Sequence, residues 1–224
     1  EFRRVLFRSQ PVIFATNTIT GNTGYPVEIY ANHVASLPAG NSYTGNATDA
    51  IKVMPETVSS SGTWHHSGVP FEIQGDVMVA FHSGVTLTIS PNSTLTFTDG
   101  ARLTIGNQGY GYPGVLVADG SLGAIIFTSA NPSPQPGDWD GIAFSEATGA
   151  GSLLDNVEVS YGGANSFGNA WLYNTGTDVT ITNSAFNYSG AYGVYVDGSS
   201  TWPSGDRATC SFMGNTAGQW YPGN

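Results

Sequence analysis

The sequence predicts an all-β protein whose short strands wind into a parallel solenoid with coils of about 20–26 residues. Three observations support this prediction: a recurring turn, alternating strands spaced eight residues apart, and the lack of any dozen-residue segment with helical periodicity. A sandwich or an up-and-down barrel would instead show hairpins and strands of even length. The spacing therefore favours the solenoid.

The repeat is clearest in three turns that share a Gly-Asn pair: TITGNT (18–23), SYTGNA (42–47) and SFMGNT (211–216). The first two are separated by about two dozen residues, so we expect them to stack on successive coils, where one Asn amide can bond the next in a ladder. A longer ungapped match relates residues 12–29 to residues 179–196. Its offset of 167 residues equals about seven coils of this length.

The strands themselves are short and alternate between apolar and polar residues. Within residues 84–106 the apolar pairs recur every eight residues: Leu87/Ile89, Leu95/Phe97 and Leu103/Ile105. This pattern, broken by Pro-Asn, Asp-Gly and Gly-Asn turns, predicts strands with one buried face on successive sides of one coil. One brief helical turn is predicted within GYPVEIYANHVASLP.

Composition limits the classes of partner. Only 10% of residues are charged, 40% are hydrophobic and the net charge is -10. The apolar content argues against disorder, and the acidity argues against nucleic acid and anionic membranes as partners. No apolar run approaches the ~18–20 residues of a membrane span. Cys210 is the single cysteine, so no disulfide framework is predicted.

The first nine residues differ from the rest of the chain. EFRRVLFRS (1–9) carries three of the six Lys and Arg residues and resembles a translated sequencing adapter. We set it aside, which leaves three cations against fifteen acids and a net charge of -12. Residues 10–224 are then predicted to form a single solenoid domain, truncated at both ends, from a longer chain with further domains.

A family resemblance follows from four stretches of the chain. SGTWHHSGVPFEIQGDVMV, GVTLTISPNSTLTFTDGARLTIG, IIFTSANPSPQPGDWDGIAF and LLDNVEVSYGG resemble the right-handed parallel β-helix repeat proteins of bacterial secreted and cell-surface chains, which share the pectin-lyase-like superfold. The resemblance implies a right-handed helix and an extracellular setting. It implies no single reaction, because this fold hosts lyases, hydrolases, adhesins and inert stalks.

Four acids are candidate catalytic residues. Glycoside hydrolysis needs two carboxylates, and acids at equivalent positions of adjacent coils would lie ~4.8 Å apart. The candidates are Asp138 and Asp140, which flank a tryptophan, and Asp155 and Glu158. An acid that begins a loop commonly caps backbone amides, and we favour that role. An enzyme is accordingly disfavoured.

Three Asp-Gly pairs raise the question of a metal. Asp99, Asp119 and Asp140 recur at intervals close to one coil. If they stack, they form a row of like charges that a cation such as calcium would bridge. Plain Asp-Gly turns are the simpler interpretation, and no cofactor is predicted.

Several aromatic residues fall in turns or at outward positions. Trp139, Tyr161, Trp171 and Tyr173 are candidate ligand-binding residues, because aromatic rings at a wet surface suit stacking on sugars. The alternative is that they are apolar plugs beneath loops. We therefore expect a structural or adhesive segment of a secreted or surface-anchored protein, with a contact to polysaccharide or cell-surface glycan. The alternative function is a polysaccharide lyase or glycoside hydrolase whose site lies partly outside the chain.

Overall fold

The structure, a computed structural model, describes residues 5–7, 15–165, 167–175, 178–197 and 205–221. It confirms the predicted fold: a right-handed parallel β-helix built from three parallel sheets. The strands, numbered along the chain, are β1 (Val5–Phe7), β2 (Val27–Tyr30), β3 (Ile51–Met54), β4 (Thr57–Val58), β5 (Gly62–Trp64), β6 (Phe71–Ile73), β7 (Val77–Val79), β8 (Thr86–Ile89), β9 (Thr94–Phe97), β10 (Arg102–Ile105), β11 (Val115–Asp119), β12 (Ile125–Ser129), β13 (Gly141–Phe144), β14 (Ser152–Asp155), β15 (Val157–Ser160), β16 (Gly168–Tyr173), β17 (Val179–Thr182), β18 (Ala185–Asn187), β19 (Tyr192–Asp197), β20 (Ser211–Met213) and β21 (Gly218–Tyr221). Two short 3-10 helices span Ala31–Ser36 and Arg207–Thr209, and the first is the predicted brief turn.

Each coil contributes strands to sheets that run along the whole helix. The nine-stranded sheet has the order β1-β2-β3-β6-β9-β12-β15-β18-β20, the seven-stranded sheet β21-β19-β16-β13-β10-β7-β4, and the five-stranded sheet β17-β14-β11-β8-β5. The three strands with eight-residue spacing, β8, β9 and β10, lie in three different sheets. The prediction that they occupy successive sides of one coil is confirmed.

Coil length varies more widely than the turn repeat predicts. In the nine-stranded sheet, residues paired on neighbouring strands are separated by as few as 20 positions of the sequence, as for Ile51 and Phe71. In the seven-stranded sheet Ile105 and Phe144 are paired although 39 positions separate them. The additional residues lie in the segments between strands, which a solenoid tolerates because such segments run mainly over the surface.

The core is a column of inward side chains that stack from coil to coil. In the nine-stranded sheet Leu95, Phe127, Val159 and Phe186 follow one another in register, and all are buried. Inward positions alternate with half-buried outward ones in most strands, such as β9 and β12. Burial of this continuous apolar column is the main source of stability.

The predicted Asn ladder forms at two of the three Gly-Asn turns. Asn22 Nδ2 donates to Asn46 Oδ1 at 2.7 Å, so these two turns stack as expected. The third turn lies elsewhere: Asn215 Oδ1 accepts from the backbone N–H of Ser189. The match at offset 167 is also wrong as a structural equivalence, because Val27 lies in the nine-stranded sheet and Val194 in the seven-stranded sheet.

Asparagine also shapes the corner between the five- and nine-stranded sheets. Asn156 and Asn183 both adopt left-handed backbone with φ of 49° on adjacent coils. Asn156 Nδ2 donates to the carbonyl of Gly120 one coil below, at 2.5 Å. A Cβ on Gly120 would collide with the Asn156 carbonyl oxygen, so this close approach requires glycine.

The segment set aside in the sequence is partly described. Val5–Phe7 form β1, which pairs in parallel with β2. The open edge of a sheet accepts extended chain through backbone hydrogen bonds, which depend little on side chains. Residues 1–4 and 8–14 lie outside the described residues. No helix among the described residues is long and apolar enough to span a bilayer.

Candidate functional site

Asp138 has the structural role that the sequence favours. Its Oδ2 accepts from the Ser129 hydroxyl at 2.6 Å and from the backbone N–H of Gln135 at 3.0 Å. These bonds close the loop between β12 and β13. Asp138 therefore caps the loop that carries the PGDW block.

Asp140 is engaged with different partners. Its Oδ2 forms an ion pair with the Arg102 guanidinium and accepts from Asn165 Nδ2 at 2.6 Å. Only 9% of its side chain is exposed, against 29% for Arg102. The two acids that flank Trp139 thus make separate contacts, one with the loop and one with the start of β10.

The other two catalytic candidates lie in different sheets. Asp155 ends β14 in the five-stranded sheet, and Glu158 lies on β15 in the nine-stranded sheet. Asp155 Oδ1 accepts from Asn183 Nδ2 at 2.8 Å. The register does pair Asp155 with Asp119 of β11. Hydrogen bonds from Ser121 hold the pKa of Asp119 below its usual value, which is opposite to what a general acid requires.

The predicted row of metal-binding aspartates does not form. Asp99 and Asp140 lie at the same corner, in the turns that precede β10 and β13, where the backbone N–H of Gly100 donates to the Asp138 carbonyl at 3.0 Å. Asp119 ends β11 in the five-stranded sheet and does not continue this row. Their even spacing misleads because the coils here are longer than the repeat. Among the described residues, no group of three His, Cys, Asp or Glu side chains is placed to hold a metal ion.

Trp139 is a core residue, so its prediction as a ligand-binding side chain is wrong. It is 0% exposed. Its ring stacks on Phe97 with centroids 4.0 Å apart, and its Nε1 donates to the Ser160 carbonyl at 2.8 Å. The alternative interpretation, an apolar plug beneath a loop, describes it correctly.

Tyr161 lies at a corner of the helix and pairs with another tyrosine. Both Tyr161 and Tyr188 have left-handed backbone, with φ of 63° and 52°. Their rings stack with centroids 5.3 Å apart and an interplanar angle of 13°. One face of each half-buried ring is therefore already covered by the other.

Trp171 and Tyr173 are the two candidates that line a cavity. We call this cavity the groove; it has a volume of about 380 Å³ on the outer face of the seven-stranded sheet, within the range of small-ligand sites. The outward residues Met78, Thr104 and Ala143 are in register on β7, β10 and β13, and all three line it. Trp171 follows Ala143 in the same register on β16.

The indole of Trp171 is held by neighbouring rings. Phe167 stacks on it with centroids 4.0 Å apart and an interplanar angle of 4°. Tyr173 approaches with its centroid 5.9 Å away at 60°. Trp171 is half-buried and lines the groove. These contacts restrict the rotamers of Trp171, which would lower the entropic cost of binding a ligand.

The segment Gly106–Gly109 also lines the groove. Gly106 has φ of 77°, and a Cβ there would lie 2.5 Å from the backbone of Ala147, so only glycine fits. Asn107 and Tyr112 exchange two backbone hydrogen bonds of 2.9 and 3.1 Å. Tyr110 lies in the turn of this hairpin, is 74% exposed, and stacks on Tyr112.

An aromatic row continues beyond the groove, and most of it was not predicted. The row consists of Trp171, Tyr195 and Tyr221, which are in register on β16, β19 and β21. Tyr195 and Tyr221 stack with centroids 4.8 Å apart. Burial, followed by the charge of Asp197, raises the pKa of Tyr195. The signal is present in the sequence: these aromatics recur at intervals close to one coil, at outward positions of alternating strands.

The charges around the groove are unbalanced towards acid. Asp76 and Arg102 both line it, and the ion pair with Asp140 neutralises Arg102. The site is thus an open, partly aromatic cavity with hydroxyl and amide side chains and one exposed carboxylate. Comparison of the chain with protein-family models, with curated proteins and with solved structures gives no match.

Proposed function

We propose that the chain is a structural and adhesive β-helix segment of a secreted or surface-anchored bacterial protein, and that it contacts carbohydrate at the groove. The resemblance to right-handed β-helix repeat proteins of the pectin-lyase-like superfold supports the first part. The polar coat of Thr, Ser and Asn with few charges is in keeping with an extracellular solenoid. Further domains of the same full-length chain would anchor it.

The observation that carries the carbohydrate contact is the wall formed by Trp171 and Tyr173. Aromatic rings with a half-exposed surface offer the apolar contact that the C–H faces of a sugar need. Thr104, Ser145 and the amides of the hairpin segment provide hydroxyl and amide partners beside that wall. This combination of apolar wall and polar rim is typical of small-ligand sites.

A glycan array with the purified chain, followed by calorimetry, tests the proposal. Trp171→Ala should remove binding to the captured glycan, because it removes the larger ring of the wall. Tyr173→Ala should weaken binding by about 0.5–1.5 kcal/mol, the value of one aromatic contact. Circular dichroism melting would show that both variants keep the fold.

Tyr30→Ala provides the matched control. Tyr30 is a half-buried tyrosine at the end of β2 in the nine-stranded sheet, away from the groove. It should leave glycan affinity unchanged. An array without any captured glycan, or equal losses for Tyr30→Ala and Tyr173→Ala, would contradict the carbohydrate contact.

A second function, hydrolysis or lysis of a polysaccharide, has one observation in its favour. Asp119 and Asp155 are paired on adjacent strands, the arrangement that could supply two carboxylates ~4.8 Å apart. A reducing-end assay on pectin, alginate and xylan tests it. Turnover that Asp155→Asn abolishes, with binding retained, would replace the adhesive proposal by the enzymatic one.

A further inference from the structure

We propose that the groove selects uncharged, hydroxyl-rich glycans and rejects acidic ones, and that Asp76 is the residue that discriminates between them. This inference rests on the proposed function, because it names the ligand class of the same groove. The aromatic wall alone would not select between neutral and acidic sugars, because a ring can stack on either. The discrimination comes from the charges that surround the wall.

Arg102 is the first part of the argument. It is the only cation among the described residues that line the groove. A guanidinium is the side chain best suited to bind a carboxylate, but this one is already paired with Asp140. Asp140 is largely buried and also accepts from Asn165 Nδ2. A uronate would have to share the guanidinium with this internal carboxylate, which already offsets its charge.

Asp76 is the second part. It directly precedes Val77, which pairs with Leu103, so it lies beside Arg102 on the neighbouring strand. It is exposed, lines the groove, and has no ion pair or side-chain hydrogen bond to another described residue. Its carboxylate would repel a sugar carboxylate within the Debye length of about 8–10 Å. The hydroxyls of a neutral sugar meet no such repulsion.

Other acidic residues near the groove also disfavour an acidic glycan. Glu146 follows Ser145, which lines the groove, and Asp197 is in register with Tyr173. The whole chain carries a net charge of -10. A polyanionic glycan is therefore repelled before it arrives, and more strongly at low salt. An uncharged glycan binds with little dependence on salt.

Calorimetry of the full chain tests the charge rule with defined hexasaccharides. Cellohexaose, xylohexaose and mannohexaose are the neutral probes, and hexagalacturonate is the acidic probe, each at low and high salt. We expect a neutral hexasaccharide to bind and hexagalacturonate to bind most weakly. Asp76→Asn should raise affinity for hexagalacturonate by roughly two- to fivefold at low salt. The neutral affinity should change by less than that.

Two further variants sharpen the result. Asp140→Asn frees Arg102 and should raise hexagalacturonate affinity more than Asp76→Asn does. If Asp140→Asn lowers the melting temperature, the charge rule is judged from Asp76→Asn alone, because the Asp76 side chain makes no described contact that the substitution could break. Glu158→Gln makes the same charge change on the nine-stranded sheet and should alter hexagalacturonate affinity least.

The outcomes separate this inference from the proposed function. Binding of hexagalacturonate as tight as that of the neutral probes, or equal effects of Asp76→Asn and Glu158→Gln, would overturn the charge rule and leave carbohydrate binding standing. Failure of every hexasaccharide to bind would overturn both.

Discussion

The outer faces of the seven-stranded and nine-stranded sheets differ although their inner faces are alike. Inward positions of both sheets carry aliphatic and phenylalanine side chains that are buried. Outward on the seven-stranded sheet lie Trp171, Tyr195 and Tyr221 in register. On the outer face of the nine-stranded sheet, the residues in register are instead charged or carry a hydroxyl: Glu28, Lys52, Glu72, Thr96 and Thr128.

This contrast shows which positions the fold constrains. An inward side chain must fill the column between two coils, so its size and polarity are restricted. An outward side chain touches only its neighbours on adjacent strands, so one sheet can carry aromatics and another charges on the same scaffold. The outward rows are therefore the positions that can vary on this scaffold, and the following measurements test this division between inner and outer faces.

The largest effect is expected from the shared interior. Phe127→Ala on β12 and Phe144→Ala on β13 each remove a fully buried ring. Each should lower the free energy of unfolding by about 3–5 kcal/mol in urea denaturation. Ile126→Ala, the half-buried outward neighbour on β12, should cost clearly less. Equal costs for Ile126 and Phe127 would show that the two faces of the strand are not distinct.

The next effect concerns the aromatic row. Tyr195 contacts Phe167, Tyr192 and Tyr221 with ring centroids 4.8–5.8 Å apart. Since aromatic pairs contribute roughly 0.5–1.5 kcal/mol each and less where they are exposed, Tyr195→Ala should cost about 1–2 kcal/mol of unfolding free energy. Thr96→Ala, an outward change on the nine-stranded sheet, should cost about 0.5 kcal/mol or less. A reversed order would mean that the row adds nothing to stability.

A smaller effect is expected from the ionic row. Lys52 Nζ lies 3.5 Å from Glu28 Oε2, with 25% and 15% of the two side chains exposed. Lys52→Met keeps the alkyl stem and removes the charge. We expect a loss of about 0–1 kcal/mol at low salt that disappears at high salt. A loss independent of salt would point to packing of the stem instead of charge.

The last effect is confined to alkaline pH and is a titration at the edge of the same row. Burial and the hydrogen bond that Tyr25 donates to Glu72 at 2.5 Å raise the pKa of Tyr25 to about 12. The folded state then holds the proton more tightly than the unfolded state, so stability falls as pH rises from about 10 to about 12. Tyr25→Phe should remove this fall.

Tyrosine NMR titration measures the same linkage directly. Glu72→Gln removes the carboxylate and should return the pKa of Tyr25 towards its ordinary value. The pKa of Tyr195, on the other sheet, should stay where it was. An unchanged pKa of Tyr25 in the Glu72→Gln protein would leave burial as its only cause.

Much of the fold could be predicted because its signals are local. The apolar pairs of β8, β9 and β10 assign each side chain to the inside or outside with no knowledge of the partner strand. The stacking of Asn22 on Asn46 follows because the coil between these two turns has the length of a single repeat. The candidate site could be predicted only in part: Trp171 and Tyr173 line the groove, whereas Trp139 is buried in the core against Phe97.

The amino-acid sequence is sufficient to specify the parallel β-helix and its inward residues, because period-2 alternation and turn residues act over a few positions. It is not sufficient to specify which outward residues meet, because that depends on the length of every intervening loop in the folded chain. Asp99, Asp119 and Asp140 are nearly evenly spaced along the chain, and yet Asp119 ends β11 of the five-stranded sheet while Asp99 and Asp140 lie in the turns before β10 and β13 of the seven-stranded sheet. Trp171, Tyr195 and Tyr221 form one row because the loops between their strands complete whole coils.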